Sequence, residues 1–132
     1  MHQKLKHLEF IQGVINRLST NSFQLKGWSV VLVSALFALA VPGSRAAFVY
    51  LAYIPAIVFW GLDGYFLWQE RLYRALYDHV RAQTDADIDF SMDTRRFRSG
   101  PGRSWPEAAL SRTLLGFHGV LILAIFVVML AL

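Results

Sequence analysis

Asp63 is the residue around which any chemistry in this chain has to be built. It is the lone charged side chain in the apolar run Ala46 to Trp68. A carboxylate inside a membrane-length segment costs at least a few kcal/mol unless it is paired, protonated or watered. The chemistry open to it is therefore proton or ion handling, a water-lined pathway, or a polar contact between helices. Arg112 and His118 stand near the corresponding end of a second apolar run. An Asp63–Arg112 or Asp63–His118 pairing would lower the cost of burying both partners. Against a functional role stands the possibility that Asp63 sits close to an interface, since about five residues of helix amount to only ~7–8 Å of depth.

Gly61-x-x-Gly64 and Gly116-x-x-Gly119 expose backbone at similar depth on the two runs, and small residues at such spacings favour close approach of membrane helices. Pro55 lies in the middle of its run; it removes one backbone hydrogen bond and is expected to kink the helix. The acidic run Asp85, Asp87, Asp89, Asp93 imitates the opening of a calcium-binding EF-hand loop. The imitation fails where Phe90 stands at the glycine position and Arg96 at the bidentate glutamate. Ile88, Phe90 and Met92 alternate with these acids, so a short extended segment docked on other helices, or on a soluble partner, is the expectation. Arg95, Arg96 and Arg98 follow, placed to meet anionic lipid headgroups in preference to nucleic acid. His2, His7, His79 and His118 are scattered without metal-ligand spacing. The sequence has no nucleophile motif, phosphate loop, paired catalytic carboxylates or cysteine. Neither an enzyme nor a metal or other cofactor is expected.

The elements that must position these residues are helical. At 132 residues there is room for one domain. A hydrophobic share of 55%, above the ~45–50% of soluble domains and gathered into runs, points to an all-α membrane protein. Residues 1–21 carry Leu5, Leu8, Ile11, Ile15 and Leu18 at helical spacing and read as an amphipathic helix. Ser19-Thr20-Asn21-Ser22 is expected to break it or to cap a new helix. The first span is placed at 23–41, with Lys26 and Trp28 as an interfacial pair, and Pro42-Gly43-Ser44 ends it. The long amphipathic lead makes a cleaved signal peptide the poorer reading of this run. The second span follows at 46–68 and continues as a water-exposed helix over 69–83. Residues 84–107 lose periodicity and form a loop, and the third span runs over 112–132. Lys4, Lys6, Arg17 and Lys26 precede the first span, and eight arginines lie between the second and third, with Arg45 alone in the intervening turn. The positive-inside rule then places the N-terminus in the cytoplasm and the C-terminus outside.

Four blocks carry a resemblance: His7-Leu-Glu-Phe-Ile-Gln-Gly-Val-Ile-Asn-Arg-Leu18, Asn21-Ser-Phe-Gln-Leu-Lys-Gly-Trp28, Phe59-Trp-Gly-Leu-Asp63 and Ile88-Asp-Phe-Ser-Met-Asp93. In these the chain resembles a widespread family of small bacterial inner-membrane proteins without an assigned activity. Its size and layout are also similar to the compact multi-span membrane effectors of antiphage defence systems, a likeness of fold alone. The resemblance implies a bacterial inner-membrane location. A thin bundle of three helices has little interior, so self-association is expected. The leading expectation is a non-enzymatic homo-oligomer that perturbs membrane permeability or anchors a complex, in defence or elsewhere. The alternatives are a small transporter or ion-pathway component using Asp63, and a regulatory subunit recruiting a soluble cytoplasmic protein.

Overall fold

Residues 2–40 and 46–131 are described by the computed structural model. All regular structure among them is helical: α1 (His2–Ala40), α2 (Ala46–Arg81), the short α3 (Trp105–Ala109) and α4 (Arg112–Ala131). Single 3₁₀ turns at Asp85–Asp87 and Arg95–Phe97 shape the segment between α2 and α3. The expected Pro42-Gly43-Ser44 turn and Arg45 lie outside the described residues. Helices α1, α2 and α4 are each long and apolar enough to cross a membrane. Their outward faces expose Val31, Ile57, Val58, Val120, Val127 and Leu130, a continuity of apolar surface that a protein bathed in water rarely shows.

The expected division of residues 1–41 into two helices is not observed. One helix runs through Ser19-Thr20-Asn21-Ser22. That tetrapeptide contains neither glycine nor proline, and the helical phase of the buried face is not interrupted. His7, Ile11, Ile15, Leu25, Ser29, Val33 and Ala40 are buried in turn, with Leu18 and Ser22 half-buried between them. These spacings follow the 3.6-residue repeat, so one stripe packs along the whole length of the helix. The stripe is rotated from the expected one, for Leu5 is 55% exposed whereas His7 is buried. Helix α2 is likewise unbroken through Pro55 and ends at Arg81.

α1 and α2 pair along their length, and two apolar clusters mark the ends of the pair. Val33, Ala40, Val49, Ala52, Ala56 and Ile125 fill the interior near the 40–46 end. Ile11, Ile15, Leu76 and Val80 fill the other end, covered by Tyr73, Tyr77, Ile88, Met92 and Phe97. Fully burying Ile11, Ile15, Leu76 and Val80 away from water contributes roughly 1.5–3 kcal/mol each. The segment after α2 docks as expected, through Ile88 and Met92. Two polar fasteners hold it: Asp85 Oδ1 accepts from the Lys4 backbone N–H at 3.0 Å, in the first turn of α1, and His7 Nε2 donates to the Ser91 carbonyl at 2.8 Å. Phe90 departs from the expected alternation: at φ +57° its ring lies 5.5 Å from His7 and 6.1 Å from Phe10.

Within the stretch expected to be loop, Ser104-Trp-Pro-Glu107 opens a short helix on an N-cap serine. Ser104 Oγ accepts from the Glu107 N–H at 3.3 Å and donates to its carboxylate at 3.0 Å. Pro106 stands in the first turn, where its missing N–H costs nothing. Five residues cannot hold a helix alone; α3 persists because it is clamped to α2. Gly64 is the contact point, since a Cβ there would stand 2.8 Å from the Ala109 Cβ.

Candidate functional site

Between the two clusters lies a polar centre to which all three long helices contribute. Asp63 on α2 is fully buried. On α1, Ser22 and Lys26 are four residues apart, one helical turn, and so share a face. Lys26 Nζ reaches Asp63 Oδ2 at 2.7 Å and donates to Ser22 Oγ at 2.9 Å, while Ser22 Oγ donates to Asp63 Oδ1. On α4, His118 Nε2 lies 2.8 Å from the same Asp63 Oδ2. The carboxylate oxygen can only accept there, so the imidazole carries its proton on Nε2.

Surrounding aromatics fix the imidazole. Trp60 stacks on His118 with centroids 5.8 Å apart and planes inclined by 7°. The indole is itself held by α3, Trp60 Nε1 donating to the Ala109 carbonyl at 2.7 Å. Trp105 Nε1 donates back to the Gly61 carbonyl at 3.0 Å. The short helix therefore positions the charge centre without touching it. His118 Nδ1 is buried and has no hydrogen-bond partner. A buried imidazole nitrogen with a free lone pair can take up a proton that the adjoining carboxylate can neutralise. The arrangement brings one ammonium and one imidazole to a single buried carboxylate.

The centre lies near one end of the apolar layer. α4 has 20 residues, about 30 Å of helix, matching the ~30 Å hydrocarbon thickness of a bilayer. His118 is six residues from Arg112, about 9 Å in from that end. A cleft of about 360 Å³ lined by Ser19, Ser22, Lys26, Glu70 and Thr113 reaches the centre from the same end. On the other side, the apolar cluster of Val33, Val49, Ala56 and Ile125 closes the interior.

Of the residues singled out in the sequence, Asp63 and His118 meet and Arg112 does not join them. Arg112 is exposed; six positions along a helix rotate it about 120° from the face of His118, at ~100° per residue. The cation at the site is Lys26 instead, expected to snorkel outward but turned inward, with its side chain 19% exposed. Its four-residue spacing from Ser22, on the flank of the Leu25–Ser29 stripe, was the available signal. Gly61 and Gly64 meet α3 and not the third span, and at Gly116 and Gly119 a Cβ would meet nothing. The close approach expected of those two is therefore not made within the chain.

Asp85 reaches α1, and the other three acidic residues are taken up locally. Asp87 accepts from Thr84 Oγ1 at 2.8 Å, Asp89 from the Ser91 N–H at 3.0 Å, and Asp93 from Arg95 through its backbone and guanidinium. The Arg95 hydrogen bonds hold the Asp93 carboxyl down at about 2. Arg96 lies over the Phe97 ring and Arg98 over Trp68, at 5.2 and 5.3 Å. No group of three metal-ligating side chains occurs among the described residues. The chain matches no protein-family model, no curated protein and no solved structure.

Proposed function

We propose that this chain is a non-enzymatic, multi-pass protein of a bacterial inner membrane, an ion-pathway component whose Asp63–Lys26–His118 centre handles a proton. The observation that carries this is the fully buried Asp63 carboxylate, engaged by an ammonium and by an imidazole whose second nitrogen is free. A charge pair kept only for packing uses the Nε2 donor of His118 and gives no role to a buried, unpartnered Nδ1. The cleft at Ser22 and Lys26 supports proton entry from one side, the cytoplasmic side in the orientation expected from the arginines.

The apolar cluster beyond the centre leaves no polar route through the described residues of a single chain. This favours a homo-oligomer in which a seam between copies completes the path, so that the protein alters membrane permeability. Gly27, Gly116 and Gly119 favour that reading specifically: they front open space, which is what close contact with another membrane helix requires.

The test is the decay of an imposed pH gradient across phospholipid vesicles containing the purified protein. Wild type is expected to dissipate the gradient faster than empty vesicles. His118→Gln, which keeps a donor to Asp63 but cannot take up a proton, is expected to return decay to the empty-vesicle rate. A wild type no leakier than empty vesicles, or a fully active His118→Gln, refutes the reading.

A further inference from the structure

A second concentration of charge lies outside the Asp63 centre and is not used by it. Where α2 leaves its apolar stretch, Arg71 and Arg74 face the turn that precedes α3, and Arg103 enters from that turn. With Asp78, Pro101 and Gly102, these three arginines line a single cleft of about 370 Å³.

The cleft is built and held. Arg71 Nη1 donates to the Gly102 carbonyl at 2.9 Å, which fixes one corner of its guanidinium and leaves its other donors open. Gly102 adopts φ +72°, turning the chain back toward α2. Arg103 is fixed at its carbonyl by Trp68 Nε1, 2.9 Å away. Its side chain folds over Gly100, where an added Cβ would stand 2.7 Å from Nη1 and 2.8 Å from Cδ. An added methyl at position 100 would push the guanidinium aside.

The nearby carboxylates are already engaged. Glu70 lies 3.5 Å from Arg74, Asp78 lies 3.6 Å from Arg81, and Glu107 Oε1 accepts from Ser104. Neither Arg71 nor Arg103 has a carboxylate ion pair among the described residues. Gathering guanidinium groups with surplus charge costs Coulomb repulsion, which a bound anion removes. Planar guanidinium forks match the oxygens of phosphate, two donors to two acceptors.

We infer that the Arg71–Arg74–Arg103 cleft binds a phosphate-bearing anion. The same chemistry is offered by the headgroup of an anionic phospholipid and by a free phosphate ion. The neighbouring indoles of Trp68 and Trp105 belong to the residue type that collects at headgroup level, so the cleft stands within reach of either.

The test uses the full chain in mild detergent, with the thermal midpoint as readout. Inorganic phosphate is titrated against chloride at matched ionic strength. Phosphatidylglycerol is titrated separately against phosphatidylcholine in mixed micelles. One or both anions should raise the midpoint of wild type. Arg103→Gln and Gly100→Ala should each weaken the apparent affinity about tenfold or more, the loss expected for a charge-assisted contact. Arg95→Gln, whose guanidinium is held by Asp93 away from the cleft, should bind as wild type does. A response to phosphatidylglycerol alone assigns the site to a lipid headgroup, and a response to inorganic phosphate assigns it to a free anion. If Arg103→Gln fails to fold, Arg74→Gln carries the test, because that side chain is 60% exposed. No stabilisation by either anion beyond its control, or undiminished binding in the cleft variants, overturns the inference.

Discussion

Removing the ammonium of Lys26 tests the charge centre most directly. In Lys26→Met the stem volume is largely kept, but the Asp63 carboxylate, fully buried, loses the cation 2.7 Å away. Breaking a buried ion pair from one side costs about 3–5 kcal/mol, because it strands the remaining charge. Ser22 and His118 still donate to Asp63, which places the expected loss toward the lower end of that range. Asp63→Asn should cost less. The ammonium it strands sits on a long flexible stem beside the cleft of Ser19 and Glu70 and can turn outward to water. In Lys26→Met/Asp63→Asn neither charge remains, so the double variant should be more stable than the sum of the two losses implies. A coupling of roughly 1–3 kcal/mol is expected, as for contacting residues in one network. The assay is denaturant or thermal unfolding in mild detergent for wild type, both single variants and the double variant. Losses that add within about 0.5 kcal/mol, or a Lys26→Met protein as stable as wild type at neutral pH, would show that the centre is not an interacting unit.

Three further outcomes follow from the packing. Gly64→Ala should destabilise by about 1–3 kcal/mol, because its Cβ meets the α3 backbone at Ala109; Gly116→Ala in a monomeric preparation should cost nothing, and unfolding of the two variants side by side checks the contrast. Leu76→Ala should cost about 2–5 kcal/mol, as for a buried leucine truncated to alanine, and should raise hydrogen exchange across residues 84–98, which rest on its cluster. The Asp93 carboxyl should titrate near pH 2 by NMR, held there first by the Arg95 side chain. Its folded-state value lies below the ordinary one, so its contribution is present above pH ~3.8, is lost as pH falls toward 2, and shrinks in Arg95→Gln, which keeps only the backbone hydrogen bond.

Much of the layout was legible because it depends on composition and period. The three apolar runs and the docking of Ile88 and Met92 rest on local residue types. The continuity of α1 was legible too, had the phase from Ile15 to Leu25 been weighed above the polarity of Ser19 to Ser22. A hydroxyl-rich tetrapeptide can cap a helix, but it breaks none when its own side chains find partners elsewhere, as Ser22 does on Asp63. α3 was also marked, by Ser104-x-x-Glu107 with Pro106. Five residues carry no periodicity, so that cap is its only mark in the sequence.

Which cation meets Asp63 was beyond the reach of sequence. Arg112 and Lys26 each stand near the start of an apolar run, and the Ser22–Lys26 spacing that favours the lysine does not fix which way its helix face turns. The choice is made by the rotation of α1 and α4 about their axes, which the pairing of α1 with α2 and the clamp of α3 on Gly64 decide. The same rotation leaves Gly116 and Gly119 facing outward and aligns Trp60 on His118. From sequence alone, Asp63 is a carboxylate that needs a partner, since its chemical type and apolar surroundings are local properties. Its partnership with Lys26, Ser22 and His118 exists only in the packed bundle, because those side chains are distant in the chain and meet only where three helix faces turn together.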